Sequence, residues 1–205
     1  MERTNVTPGK PRVTGAIFRA PAGTPVPTDA TSQLDTAFKE LGYVNDQGVK
    51  NANTAEKNKV YAWGGSAVMN STTQKPDDWT FTLIEALNPN VLKTVYGDNN
   101  VIVSEDGKQI SVAATAEDLE ECIFVIDMAL TNNALKRIVI PKAELGNVAE
   151  IAYVDNQPIG YNITVSAYYD AAGKSHYEYI QKAAADTAAA SAVITDPETN
   201  GEGGA

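Results

Sequence analysis

Histidine and cysteine are almost missing from this chain of 205 residues, which holds one of each, His176 and Cys122. A single cysteine cannot close a disulfide within the chain. One histidine and one cysteine also leave too few ligands for a zinc site. Cys122 stands in the apolar run CIFVID, the setting of a buried structural thiol rather than a nucleophile. His176 lies between Ser175 and Tyr177 beside a turn signal and reads as a surface residue. No G-x-S-x-G segment presents a serine to such a base, and Gly64-Gly65 lacks the following Lys and Ser/Thr of a phosphate loop.

Positive charge is scarce as well: 16 Lys and Arg face 26 Asp and Glu, for a formal net charge of −10. Binding to duplex DNA usually needs a basic surface that displaces counterions, so this balance argues against nucleic-acid affinity. It is compatible with a surface that must not hold DNA. The longest apolar run, residues 122–130, is too short to cross a bilayer and carries Asp127. The first fifteen residues have no apolar stretch of a secretory signal, so a soluble protein made inside the cell is expected. On that expectation the Asn-x-Ser/Thr tripeptides at Asn5, Asn70 and Asn162 are coincidental. A hydrophobic fraction of 43% is enough for one domain with its own core.

What is present is mostly strand pattern. Residues 1–15 form a polar, locally basic arm, residues 16–181 the folded domain, and residues 182–205 an alanine-rich, low-complexity tail. After a short strand at 16–19 comes the proline-rich loop 20–30. Leu34, Phe38 and Leu41 then fall at i, i+4 and i+7, which predicts a helix begun by Thr31 or Ser32 and stopped by Gly42. Residues 44–59 are too polar for core and read as a surface loop, or as a long hairpin ordered against another copy. The alternation of Trp79, Phe81 and Leu83 with threonines predicts a strand with one buried face. Asn88-Pro89 opens a helix that docks Val91, Leu92 and Val95 and ends at Gly97. Asp106-Gly107 predicts a hairpin turn between the runs 101–103 and 110–112.

Residues 122–130 are apolar at nearly every position, so both faces of that strand need a cover, from a helix or a neighbouring subunit. Strands at 135–140 and 148–154 follow. Residues 159–167 then give a long alternating strand, and 176–180 return after the turn at 170–173. The fold class expected is mainly β, an antiparallel β-sandwich or barrel with one or two short flanking helices.

Candidate chemistry is thin. The carboxylate doublets Asp77-Asp78, Glu117-Asp118 and Glu120-Glu121 lie beside turn signals and read as solvated loop charge rather than a glycosidase pair. Residues 155–157 lack the spacing of a calcium loop. Trp63 and Trp79 could line a sugar site, but core or interface packing suits them better. No catalytic, cofactor-binding or metal-binding residue is assigned, and no cofactor is expected.

Three segments, in order, resemble one family. They are residues 15–49, GAIFRAPAGTPVPTDATSQLDTAFKELGYVNDQGV; residues 60–97, VYAWGGSAVMNSTTQKPDDWTFTLIEALNPNVLKTVYG; and residues 140–179, with IPKAEL and PIGYNITVSAYYDAAGKSHYEY. The chain resembles siphophage major tail proteins, the tube subunits of non-contractile tails. The resemblance implies a non-enzymatic structural subunit of the virion, made in the host bacterial cytoplasm. Its fold would be that of tail tubes and type VI secretion tubes. It also implies hexameric rings stacked around a tape measure protein, contacts with tail-end proteins, phage DNA passing through the lumen without specific binding, and no membrane. The 44–59 segment and the 1–15 arm are expected to touch the next ring, so deleting residues 47–55 should spare the monomer and abolish tubes. The other classes that fit the strand count are an immunoglobulin-like adhesion module and, less well, a carbohydrate-active enzyme.

Overall fold

Residues 5–12 and 16–182 are described by the computed structural model. The expectations for the rest of the arm and for the tail beyond Lys182 lie outside the described residues. The strongest sequence patterns become the central elements. The first strands are β1 (Lys10–Pro11), β2 (Ile17–Pro21), β3 (Lys39–Glu40) and β4 (Val44–Ala52). Next come β5 (Glu56–Tyr61), β6 (Ala67–Gln74) and β7 (Asp78–Leu83), in which half-buried and buried residues alternate as the threonine pattern requires. The helix α1 (Pro89–Tyr96) begins where Asn88 Oδ1 accepts from Asn90 N, with proline in the first turn where no donor is needed. After it follow β8 (Val101–Val103), β9 (Ile110–Val112), β10 (Cys122–Ala129), β11 (Leu135–Val148), β12 (Tyr161–Ala167) and β13 (Tyr177–Gln181).

One antiparallel sheet runs in the order β3-β2-β10-β11-β12-β7-β4, with β1 added to β10 and β13 to β11. Its spine is β11, whose fourteen residues pair with β10 on one side and with β13 and then β12 on the other. In a flat sheet β10 and β7 would lie three strand spacings apart, roughly 14 Å. Yet Phe124 and Phe81 from those strands meet edge to face with centroids 6.3 Å apart, so the sheet curls over on itself. The main core fills the curl with Ile17, Leu41, Leu83, Ile126 and Ile163, and Val91, Leu92 and Val95 of α1 pack on it. A smaller core on the other face joins Ala20, Phe38, Ile123, Val125 and Val139, with Leu34, Tyr177 and Tyr179 against it.

The doubly apolar strand β10 is therefore buried on both faces, as its composition requires. Its second cover is not a neighbour or a helix but the chain's own 31–41 segment and β13.

Several expectations give way here. No helix forms at 31–42. Leu34 and Phe38 serve the small core while Leu41 crosses to the large one, so the three residues do not share a stripe. Asp29 and Asp35 accept from the backbone amides of Thr31, Ser32 and Ala37, which commits the segment to tight turns instead of a helical ladder. Gly42 does sit at φ 68°, as a chain reversal demands, but it ends no helix.

Of the two readings of the polar segment 44–59, the surface loop gives way: most of it is β4 on the sheet edge and the first half of a hairpin. Residues 45–48 bulge out of β4, because Val44 pairs with Leu83 and Val49 with Phe81. The strand expected at 135–140 runs on to Val148 as the single β11, and residues 149–154, expected as a further strand, lie in none. Pro141 sits in a bulge where two residues of β11 face only Ile123, so its missing N–H breaks no ladder. The strand returning at 177–181 pairs with β11, not with β12.

Candidate assembly surfaces

The β5–β6 hairpin has no place in either core. Every residue of β5 is exposed, and the two strands form a separate sheet whose pairing, from Glu56↔Gln74 to Tyr61↔Ala67, carries on from the Ala52↔Asp78 end of the β4–β7 ladder. Gly64 and Gly65, at φ 108° and 89°, close the tip, where Ala62 N donates to Ser66 O at 2.8 Å. This ribbon is polar in count but carries Val60, Tyr61, Trp63, Val68 and Met69 in the open, and Trp63 is fully exposed at the tip. Val60 and Met69 face each other across the strands. A two-stranded ribbon with bare aromatic and aliphatic groups is the kind of surface that marks an interaction site. Of the two tryptophans read as core or interface, Trp79 is core at 3% exposure and Trp63 is not.

A groove of about 780 Å³ lies at the opposite end of β4, along the seam where the curled sheet fails to close. Its walls are the 42–49 stretch on one side and Pro11, Ala16, Ile126 and Met128 on the other. Glu85 braces one wall, accepting from Tyr43 N at 2.9 Å and from Asn88 Nδ2 at 2.9 Å. As the last strand in the sheet order, β4 has no neighbour on its outer side among the described residues.

Two buried polar clusters hold these surfaces in place, and neither was readable from local sequence. Arg137, 2% exposed, grips both oxygens of Asp127 through Nε and Nη2 at 2.7 and 2.8 Å. Its Nη1 donates to the carbonyls of Asp29 and Ser32 at 3.2 and 2.8 Å, and Arg12 of the arm reaches Asp127 at 3.2 Å. The second cluster corrects two expectations. Asp77 is not solvated loop charge but 3% exposed, and His176 is not a free surface residue but its partner at 2.5 Å. Burial works to raise the Asp77 pKa, but hydrogen bonds from Ser175, Asn51 and His176 outweigh it and hold the carboxyl below its usual range.

Asp78, the second member of that doublet, starts β7 and accepts from Ser166 at 2.7 Å. An Asp–His pair acts as a base through the other ring nitrogen, on a nucleophile, a substrate or a water held there. Here Ser175 bonds to Asp77 itself, and Trp79 packs edge-on against the imidazole with centroids 5.2 Å apart.

The remaining acidic residues stay apart from these clusters. Glu117, Asp118 and Glu120 lie in the exposed stretch between β9 and β10, and Glu121 pairs with Lys142 at 2.9 Å. Among the described residues, no three His, Cys, Asp or Glu side chains are grouped to hold a metal. Cys122 is buried, and burial raises its thiol pKa.

A comparison with curated proteins gives no match. Among solved structures, the chain is similar to one described as "Cryo-EM structure of the anti-feeding prophage cap (AFP tube terminating cap)". That match has a TM-score of 0.40 and 10% identity, and it covers 85% of this chain and 93% of that one. Residues 7–192 match the family described as "Phage tail tube protein", a span that takes in the curled sheet, the bare hairpin and the seam groove together. The chain belongs to the phage tail tube protein family.

Proposed function

We propose that this protein is the tube subunit of a siphophage's non-contractile tail and performs no catalysis. Six copies close into a ring, and rings stack around a tape measure protein into a conduit ended by tail-end proteins. Phage DNA then leaves through the lumen. The observation that carries the reading is the β5–β6 hairpin, a ribbon with exposed aromatic and aliphatic groups that the described residues leave uncovered. The unpaired outer side of β4 supports the same reading, since a neighbour's strand can complete it and head-to-tail contacts of this kind close rings. The net charge of −10 favours passage of DNA over retention. Membership of a tail tube family supports the tube over an adhesion module or a carbohydrate-active enzyme.

Electron microscopy of the purified protein tests this. Wild type should form hollow tubes of constant width with sixfold end views. Deleting residues 47–55 is not a clean perturbation, because Val49 packs on the main core and Asn51 binds Asp77. The clean one replaces residues 57–73 with an Asn-Gly turn between the paired residues Glu56 and Gln74. This variant should keep the wild-type circular dichroism spectrum and melting temperature yet stay monomeric. If it forms tubes as readily as wild type, the hairpin is not an assembly element.

A further inference from the structure

The hairpin tip and the seam groove match in size and charge, and they lie toward opposite ends of β4. Trp63 is fully exposed, whereas the groove at the other end of β4 is walled by Val44, Ile126 and Met128 and has room for an indole and its neighbours. The hairpin leaves the body from the Ala52 end of β4 and the groove lies at the Val44 end, so a chain's own tip points away from its own groove. Charge matches as well. The β5 strand carries Lys57 and Lys59 against Glu56, while the groove is lined by Glu40, Asp46 and Glu85 against Arg12, itself tied to Asp127. A tryptophan anchor seated in an apolar pocket with a charged rim is the pattern that dominates interface energies. A knob and a hole at different places on one chain make a head-to-tail contact, which propagates or closes a ring.

We propose that Trp63 of one copy seats in the seam groove of a second copy, with Lys57 and Lys59 facing Glu40 and Asp46. This rests on the self-assembling tube described above and names the contact within it. Trp63→Ala should melt like wild type, because the side chain is fully exposed, and should need at least tenfold more protein to form tubes. Trp63→Phe should recover most of that loss. Lys57→Glu with Lys59→Glu should block tubes, and adding Glu40→Lys and Asp46→Lys in the same chain should restore them.

Fluorescence separates direct burial from an indirect effect. Trp79 is already buried, so assembly of wild type should blue-shift the Trp63 emission, a shift absent from Trp63→Phe. Wild type that stays monomeric at every concentration would refute the tube and this contact together. Wild-type tubes alongside Trp63→Ala tubes at the same concentration, or a four-residue swap no better than the two-residue one, would refute this contact alone.

Discussion

Substituting Asp127 by alanine tests how far the second core depends on one buried ion pair. Asp127 and Arg137 are register partners on β10 and β11, with side chains 6% and 2% exposed. The guanidinium is bidentate on the carboxylate and also ties the carbonyls of Asp29 and Ser32 to the sheet. Removing the carboxylate strands the Arg137 charge among Ile123, Val125 and Val139, which costs about 3–5 kcal/mol. The Arg12 contact is at the more solvated end and adds less than about 1 kcal/mol. For a domain of this size each kcal/mol moves the midpoint by about 2–4 °C, so the melting temperature should drop by ~6–20 °C.

The complementary change, Arg137→Met, should cost a similar amount and also release the 29–32 turn. Faster hydrogen exchange at the amides of Phe38 and Leu41 should then follow. Combining Arg137→Met with Asp127→Leu places two apolar side chains in an apolar setting and should come within about 2 kcal/mol of wild type. Urea unfolding followed by circular dichroism, at concentrations low enough that assembly does not contribute, gives all four corners of the cycle. A loss under about 1 kcal/mol for Asp127→Ala would refute this reasoning. So would a double variant as unstable as the sum of the singles.

Two further predictions follow from the same structure. The Asp77 carboxyl is held below its ordinary value of 3.8, so its contribution to stability is complete above that value and is lost as pH falls through the lower folded value. Asp77→Asn should therefore be less stable than wild type at pH 7 and show a shallower acid limb below about pH 4; parallel limbs would contradict it. Gly42 takes φ 68°, and a Cβ there would run into the Glu85 carboxylate. Gly42→Ala should cost roughly 1–2 kcal/mol for the left-handed backbone, and more by displacing Glu85 from Tyr43 N, as read by urea unfolding.

The parts of the fold legible in the sequence are those whose cause is local. Asn88-Pro89 and Gly97 mark α1 because capping is settled within a few residues. The alternation in β7 and β12 needs only the period of a strand, and Asp106-Gly107 needs only the turn between β8 and β9. Leu34, Phe38 and Leu41 misled because spacing alone cannot tell one face of a helix from a coil crossing between two cores. The strand expected to stop at residue 140 runs on because Pro141 falls in the bulge opposite Ile123, where a missing N–H breaks no ladder. The buried clusters were out of reach for a third reason: Asp77 and His176 are 99 positions apart, and Asp29 meets Arg137 across 108. For Trp63 the sequence leaves core and interface both open, and the core reading falls because Gly64-Gly65 is the tip of a ribbon that leaves the body.

Asp77 also links the buried chemistry to the exposed surface. An isolated two-stranded ribbon is barely stable and has no preferred direction relative to the body it leaves. At the root of this one, Asp77 stands between β6 and β7 and accepts from Asn51 near the end of β4 at 2.7 Å. His176, from the turn before β13, binds the other carboxylate oxygen. Three separate parts of the chain thus converge on one carboxylate where the core ends and the hairpin begins. Apolar packing could bury that point equally well, but it is non-directional. Hydrogen bonds to a charged acceptor fix angles as well as distance. A ribbon that must bring Trp63 to a groove on another copy, the length of β5 beyond its last core contact, needs its direction set more than its root stabilised.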